Sequence, residues 1–409
     1  MSFLFRAAAV MACAVMPELA PATPLSFERA LAAAAERSEA ALAARAAESG
    51  ARELLRAAGQ LPDPRLRVGM ENVPLSGQDS FSGRDRMTMK RIGISQEWVS
   101  ADKRNAREDT ARAMARREAA RAAAARADAR MRAALAYVES WHAAAAERLL
   151  VRMQDHFREE VQVAVARLAA AGGSGADTLR LRAAWGEADD EREAAAQQHA
   201  AALVALQRWV GFVPDTVEVP PALGIPSEQD YLARHPRLAQ LRRDVDVAEA
   251  NASVAALDRR PNWTWEAAYA QRSGYPDLAT VAVNVPLQLW PTERQDRQAA
   301  ARVAQADEAR ALYAEAVREA QAEYRAASSD AARLRQRLQR YRDVVVQAAR
   351  QRTAAAMAGY RSAQMPLAAV FEARHMEIEV QRKQLALRRD LFKAEAQLAL
   401  KPLEREEAL

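Results

Sequence analysis

Cysteine is almost missing from this 409-residue chain, which has one, Cys13. With no second thiol it forms no internal disulfide, and it offers no thiolate set for zinc or an iron–sulfur cluster. Glycine is scarce too, at 14 residues, and from Ala101 to Ala171 neither glycine nor proline occurs. That composition argues against a mixed globular enzyme and for long helices. The five histidines, His142, His156, His199, His235 and His375, form no His-x-x-x-His pair. Gly173-Ser174-Gly175 is no nucleophile elbow and no phosphate-binding glycine loop occurs, so no catalytic, cofactor-binding or metal-ligating residue is assigned and the chain reads as a non-enzyme without cofactors. Beyond the N-terminal segment no stretch approaches about 20 consecutive apolar residues, which excludes a membrane-spanning helix and leaves strands as the only route across a bilayer. The net charge of +5, with Arg and Glu interspersed, fits solvated helical faces and gives no reason to expect nucleic acid.

What is present is alanine, about a quarter of the chain, and an order written twice. A helical run leads into two short alternating strands and then a longer helical run, and the whole order recurs roughly 190 residues later. The chain divides into a signal peptide over 1–22, a first repeat over 23–212, a proline-rich linker over 213–226 and a second repeat over 227–409. Arg6, the apolar stretch Ala7 to Met16 and the small residues with prolines over Leu19 to Pro24 carry the signal reading. Cys13 within it is either a lipid-attachment cysteine or an incidental apolar residue.

Leu25 to Gly59 predicts one continuous helix, with Ser26 as N-cap and Gly59 as a stop before Pro62. Strands are expected over Pro64 to Val73 and Met87 to Val99, then over Pro261 to Arg272 and Thr280 to Trp290. Leu66, Val68 and Met70 alternate against Arg65, Arg67 and Glu71, while Met87, Met89, Ile92 and Ile94 slip in phase at Arg91, which predicts a bulge. Met87 and Met89, read either as soft metal ligands or as packing side chains, fit strand packing better. Trp263, Trp265 and Tyr269 share a face with Ala267, and Val281, Val283 and Val285 share a face of the return strand. Aromatics arranged so suit either a membrane interface or a half-buried hairpin.

Helices of roughly 70 residues would extend about 105 Å, too long to bury their stripes alone. In the second repeat, Leu334, Leu338, Tyr341 and Val345 have coiled-coil spacing. Helix-hairpin tips are expected at Gly172-Gly173-Ser174-Gly175, with Asp177 and Thr178 behind, and at Gly359-Tyr360-Arg361-Ser362. The carboxylates Asp189, Asp190, Glu372, Glu377 and Glu379 could line a lumen, but pairs with Arg182, Arg192, Arg374 and Arg382 are the preferred expectation. His156 with Glu159 and Glu160 reads as a solvated face rather than a metal site.

The combination resembles the TolC-like outer membrane efflux proteins, through Leu61-Pro62-Asp63-Pro64-Arg65-Leu66, Glu71-Asn72-Val73-Pro74 and Val283-Asn284-Val285-Pro286-Leu287. Ile94-Ser95-Gln96-Glu97-Trp98, followed by Lys103, Arg104 and Arg107, is similar to the heavy-metal branch, whereas Trp290-Pro291-Thr292 departs from the family's turn. The resemblance implies a mainly helical fold with a β membrane part, forming a trimeric α-helical tunnel continued by a barrel of twelve strands, four per chain. It further implies an outer membrane location reaching into the periplasm, with a homotrimer, outer membrane lipid, a periplasmic adaptor and an inner membrane pump of the resistance, nodulation and division type as partners. The chain would be a passive exit duct for heavy-metal cations. Its tips would meet adaptor and pump, and Leu66, Val68, Met70, Trp263, Trp265, Tyr269, Val281, Val283 and Val285 would face lipid. The rival expectation is a soluble periplasmic coiled-coil adaptor or scaffold.

Overall fold

The computed structural model describes residues 24–404 apart from 79, 171 and 173. The expected signal peptide with Cys13, and Gly173, lie outside the described residues. Helices α1 (Phe27–Arg37) and α2 (Glu39–Ala58) lead to strands β1 (Arg65–Glu71) and β2 (Met89–Trp98), then to α3 (Ala101–Ala169) and α4 (Gly175–Val210). The order recurs as α5 (Glu228–Ala233), α6 (Pro236–Leu257), β3 (Trp263–Arg272), β4 (Leu278–Asn284), α7 (Gln295–Arg340), a π turn (Tyr341–Val345), α8 (Val346–Arg361) and α9 (Leu367–Leu400).

The continuous helix expected from Leu25 is broken at Ser38, whose backbone is extended at ψ 114° and whose hydroxyl accepts from the Ala41 N–H at 3.3 Å. A serine satisfies one of the donors that a helix start leaves free, which offsets the interruption. Ser26 caps α1 in the same way, accepting from Arg29 N–H at 3.4 Å.

α3 is the spine, packed against α1, α2, α4, α6 and α9. Its buried face is mostly alanine, with Ala122, Ala123, Ala127, Ala133 and Ala134 among the residues it removes from solvent. Small side chains let backbones approach, so the core is thin and spread along the helix. One thicker region surrounds Tyr137, where Phe27, Leu31, Leu206 and Val210 pack. There the segment between α4 and α5 is anchored: Val217 bridges Leu25, and the Tyr137 hydroxyl lies 2.7 Å from Leu25 O and 3.1 Å from Glu218 O. Burial pushes this phenol up to about 12, and it stays a neutral donor.

In the second repeat the π turn shifts the seam. Leu334 and Leu338 pack beside Leu391 and Leu398, but burial beyond the turn resumes at Val346 and Ala349. A π turn absorbs an extra residue, so the spacing read through Tyr341 and Val345 is displaced by one. The second tip also differs from expectation. Gly359, Tyr360 and Arg361 remain helical, and the chain turns after Ser362 through Ala363 at φ 59°. Gly359 serves closeness: a β-carbon there would lie 2.8 Å from Met365 Cγ. No helix among the described residues is long and apolar enough to cross a membrane.

Candidate functional site

The four strands form one antiparallel sheet in the order β1-β2-β3-β4, so the two hairpins meet at the β2–β3 ladder. The pairing Gly69↔Arg91 and Val68↔Ile92 continues without interruption, so the bulge expected at Arg91 is absent. The phase slip has another cause. Met89 lies with Arg91 and Gly93 on one face while Ile92 and Ile94 lie on the other, so the apolar residue Met89 sits on the polar face and Met87 lies before the strand. β4 ends at Asn284, leaving Val285, Leu287 and Leu289 outside it. Pro286 has no N–H for the ladder, which explains the early end.

Alternation gives the sheet two unlike faces. On one, the register brings together Leu66 with Ile94, Val68 with Ile92 and Tyr269, and Trp265 with Val283. Met70, Trp263 and Val281 have the same parity. This mostly apolar face, which also carries Lys90, Gln96 and Gln271, is the more open one in the central strands, where Ile92 is 49% and Tyr269 48% exposed while Gly93, Ala268 and Ala270 are buried. β1 and β4 are exposed on both faces, Val68 to 70% and Val281 to 83%. The opposite face carries ions. Arg91 donates to Glu71 at 2.9 Å and to Glu266 at 2.7 Å, tying β1, β2 and β3 together. Gly93 is buried on this face, where a β-carbon would lie 2.8 Å from that of Ala268.

Aromatic residues mark both ends of the apolar face. Trp98 pairs with Trp263 near the helices, ring centroids 5.9 Å apart, with Trp265 one register step on. Phe81 and Tyr275 are exposed in the loops at the far end. The outer edges of β1 and β4 have no strand partner among the described residues.

At the other end of the long helices the two tips meet. Gly172 N–H donates to Arg167 O at 3.0 Å, and Ser174 caps α4 by accepting from Asp177 N–H at 3.4 Å. Gly172, Ser174, Asp177 and Thr178 share a cleft of about 720 Å³ with Pro366 and Leu367. Above it, Glu160 on α3 is buried with His375 of α9 at 3.0 Å, correcting the solvated face expected for Glu160. His375 stacks on Phe157 with centroids 3.9 Å apart, which covers the carboxylate.

The returning carboxylates are tied up as expected in part. Asp189 pairs with Arg192 at 3.4 Å and Glu379 with Arg382 at 2.7 Å along their own helices. Others cross between helices: Glu372 meets Arg352 at 2.9 Å, and Arg374 meets Glu159 at 3.0 Å. Spacing within one helix could not reveal those partners. Among the described residues no three His, Cys, Asp or Glu side chains are grouped to hold a metal ion.

No protein-family model matches the chain, and no curated protein matches it. Solved structures do. The outer membrane protein VceC of Vibrio cholerae superposes with a TM-score of 0.74 at 18% identity, covering 92% of this chain and 96% of its own. The Campylobacter jejuni CmeC outer membrane channel gives 0.76 at 13% identity, covering 92% and 85%. CusC, solved for changes accompanying folding and transmembrane channel formation, gives 0.73 at 14% identity, covering 91% of each chain. The chain has the fold of these outer membrane channels. Scores this close do not separate one branch of that fold from another.

Proposed function

We propose that the chain is the outer membrane channel of a tripartite efflux system, a passive duct whose transport is driven by an inner membrane pump through a periplasmic adaptor. The observation that carries this reading is the sheet, apolar and aromatic on its open face and ion-paired on the other. Strands of 10 residues in β2 and β3 match the length needed to cross a bilayer at a tilt, about 9–11 residues. Trp98, Trp263 and Trp265 at one end, with Phe81 and Tyr275 at the other, suit the two interfaces of an apolar band. On this reading Leu66, Val68, Met70, Trp263, Trp265, Tyr269, Val281 and Val283 face lipid, joined by Ile92 and Ile94.

Free edges on β1 and β4 call for neighbours, and four strands are too few to close on themselves. A homotrimer supplies twelve. The two repeats, 23–212 and 227–409, then contribute one hairpin each to the barrel and one helical hairpin each to the periplasmic tunnel, with 213–226 joining them. The tips, Gly172 to Thr178 and Gly359 to Ser362, meet the adaptor and pump. Heavy-metal cations are the proposed cargo, a narrower step supported by the similarity of Ile94 to Trp98 to the heavy-metal branch.

Membrane fractionation of the tagged chain, followed by heat-sensitive gel mobility with and without crosslinking, tests the channel. Trimers in the outer membrane fraction are expected. Soluble monomers or dimers in the periplasm would sink the barrel and favour the adaptor. Unchanged metal tolerance in a deletion strain would remove the cation cargo alone.

A further inference from the structure

Several arginines on the long helices are tied to carboxylates. Arg158, Arg192, Arg352, Arg374 and Arg382 each have a carboxylate within 3.4 Å. One region gathers arginines in linings that hold no carboxylate. α9 packs between α3 and α8, and over its middle two adjoining clefts of about 740 and 380 Å³ share Gln384 and Arg388. Arg148 and Arg152 of α3, Arg350 of α8, Arg388 of α9, and Arg335 and Arg342 around the π turn line them, with glutamines beside them and no Asp or Glu in either lining.

Individual contacts show which of these charges is free. Among the described residues no ion pair reaches Arg148 or Arg388; Arg152 donates to Gln381 at 3.1 Å, and Arg350 has only Glu377 at a long 3.9 Å. Arg335 and Arg342 are held by Glu395 and Asp343. Arg388 lies 4.9 Å from the Trp141 ring centroid and 5.3 Å from that of Phe392. Stacking fixes a guanidinium by its face and leaves its N–H edge to donate. Partial burial lowers its affinity for a proton, a cost that a bound anion would offset.

The π turn contributes alignment. Absorbing one extra residue rotates all that follows by roughly 100° relative to an uninterrupted helix. That brings Arg350 to the same trough as Arg335 and Arg342. π turns are uncommon and concentrate at functional sites.

We propose that this trough over α9 is a binding site for a multivalent oxyanion, with Arg148, Arg350 and Arg388 as its donors. Arginine forks match phosphate and carboxylate alike, and several forks on facing helices select a ligand with several such groups. The site is independent of the channel reading, since none of its residues lies in the sheet or at the tips.

Titration calorimetry of the full-length protein in detergent at low salt, with tripolyphosphate as probe, is the test. Saturable binding that weakens as NaCl is raised is expected, and Arg148→Gln with Arg350→Gln should weaken it about tenfold or more. Arg388→Gln should do the same, while Arg158→Gln, a paired arginine elsewhere, should not. Because Arg388→Gln also strips packing from Trp141, the exposed Arg148 and Arg350 pair keeps the test decisive if that variant misfolds. Citrate in place of tripolyphosphate separates the sources: binding of both assigns carboxylate or phosphate ligands, and binding of tripolyphosphate alone assigns phosphate. No saturable binding, or wild-type binding by the double variant, overturns the site. Loss of oligomer mass in the double variant with binding unchanged also overturns it and assigns the trough to contact between copies.

Discussion

At Gly93 the two hairpins of the sheet leave no room for a side chain. This glycine sits mid-ladder opposite Ala268 on the ion-paired face, in a β2–β3 register that runs from Met89↔Arg272 to Trp98↔Trp263. A β-carbon at position 93 would lie 2.8 Å from Ala268 Cβ and 3.2 Å from Ala267 O, whereas directly opposed β-carbons ordinarily stand about 4.5–5.5 Å apart. The ladder must therefore spread to admit a side chain. Overpacking of this kind costs about 1–3 kcal/mol, so Gly93→Ala should fall at the low end and Gly93→Val at the high end. Ala268→Gly removes the nearer clash but leaves the Ala267 carbonyl. Combined with Gly93→Ala it should recover part of the loss, with a coupling of about 0.5–3 kcal/mol. The assay is the temperature at which the membrane-extracted assembly collapses to monomer on a gel, together with the fraction of chain that reaches the outer membrane. Wild-type assembly and melting of Gly93→Val would refute the reasoning, as would a double variant no better than Gly93→Ala alone.

His235 is buried, and that burial, with Lys401 and Arg237 adding to it against Glu323, lowers its pKa to about 4. The unfolded chain takes its proton first as pH falls through about 6.5, so this residue's share of stability, about 2–3 kcal/mol, is present above pH 6.5 and lost towards pH 4. Urea unfolding at pH 7 and pH 5 should show a smaller difference for His235→Gln than for the wild type. Tyr137→Phe removes the donor shared by Leu25 O and Glu218 O and should lower stability by about 1 kcal/mol, read as a lower denaturant midpoint at unchanged slope. On the proposed channel reading, Gly172→Val and Gly359→Val at the tips, the second of which would push a side chain into Met365, should leave trimers intact yet reduce resistance in cells. Full resistance from folded, inserted variants would remove the tips from pump coupling.

Long-range order was legible because it rests on period and punctuation. The helices of both hairpins, the capping by Ser26, and the opposition of Leu66, Val68 and Met70 to Arg65 and Arg67 follow from local chemistry that tertiary packing does not override. Where packing decides, sequence was silent or misleading. Ser38 is one of many polar residues on a helical stretch, and only the bend that seats α1 against α3 makes it a cap. The apparent slip at Arg91 came from judging Met89 by its apolarity. Its register partners Glu71 and Arg272 place it on the polar face. The π turn leaves no compositional mark, and the arginine trough needs α3, α8 and α9 side by side. For Glu160, the covering residue His375 lies on another helix.

The orientation of the sheet yields the sharpest separation between a channel and a soluble adaptor. Val68 and Arg91 lie on neighbouring strands and opposite faces, and Val68 is the more exposed of the two. If water bathed the open face, Val68→Arg would be a surface change worth no more than about 0.5 kcal/mol, and the apolar face beside it would be an aggregation liability that the charge relieves. If lipid covers that face, the same change places an arginine against hydrocarbon at a cost of about 2–4 kcal/mol near mid-depth. The reverse change behaves differently. Arg91→Met strands Glu71 and Glu266 without their cation, but on a face open to a water-filled lumen the carboxylates stay hydrated and assembly should survive with conductance shifted towards cations. The pair of variants therefore answers with opposite signs. Failed insertion of Val68→Arg beside intact Arg91→Met trimers supports a barrel with Arg91 inside. A soluble, stable Val68→Arg protein at wild-type yield would refute it.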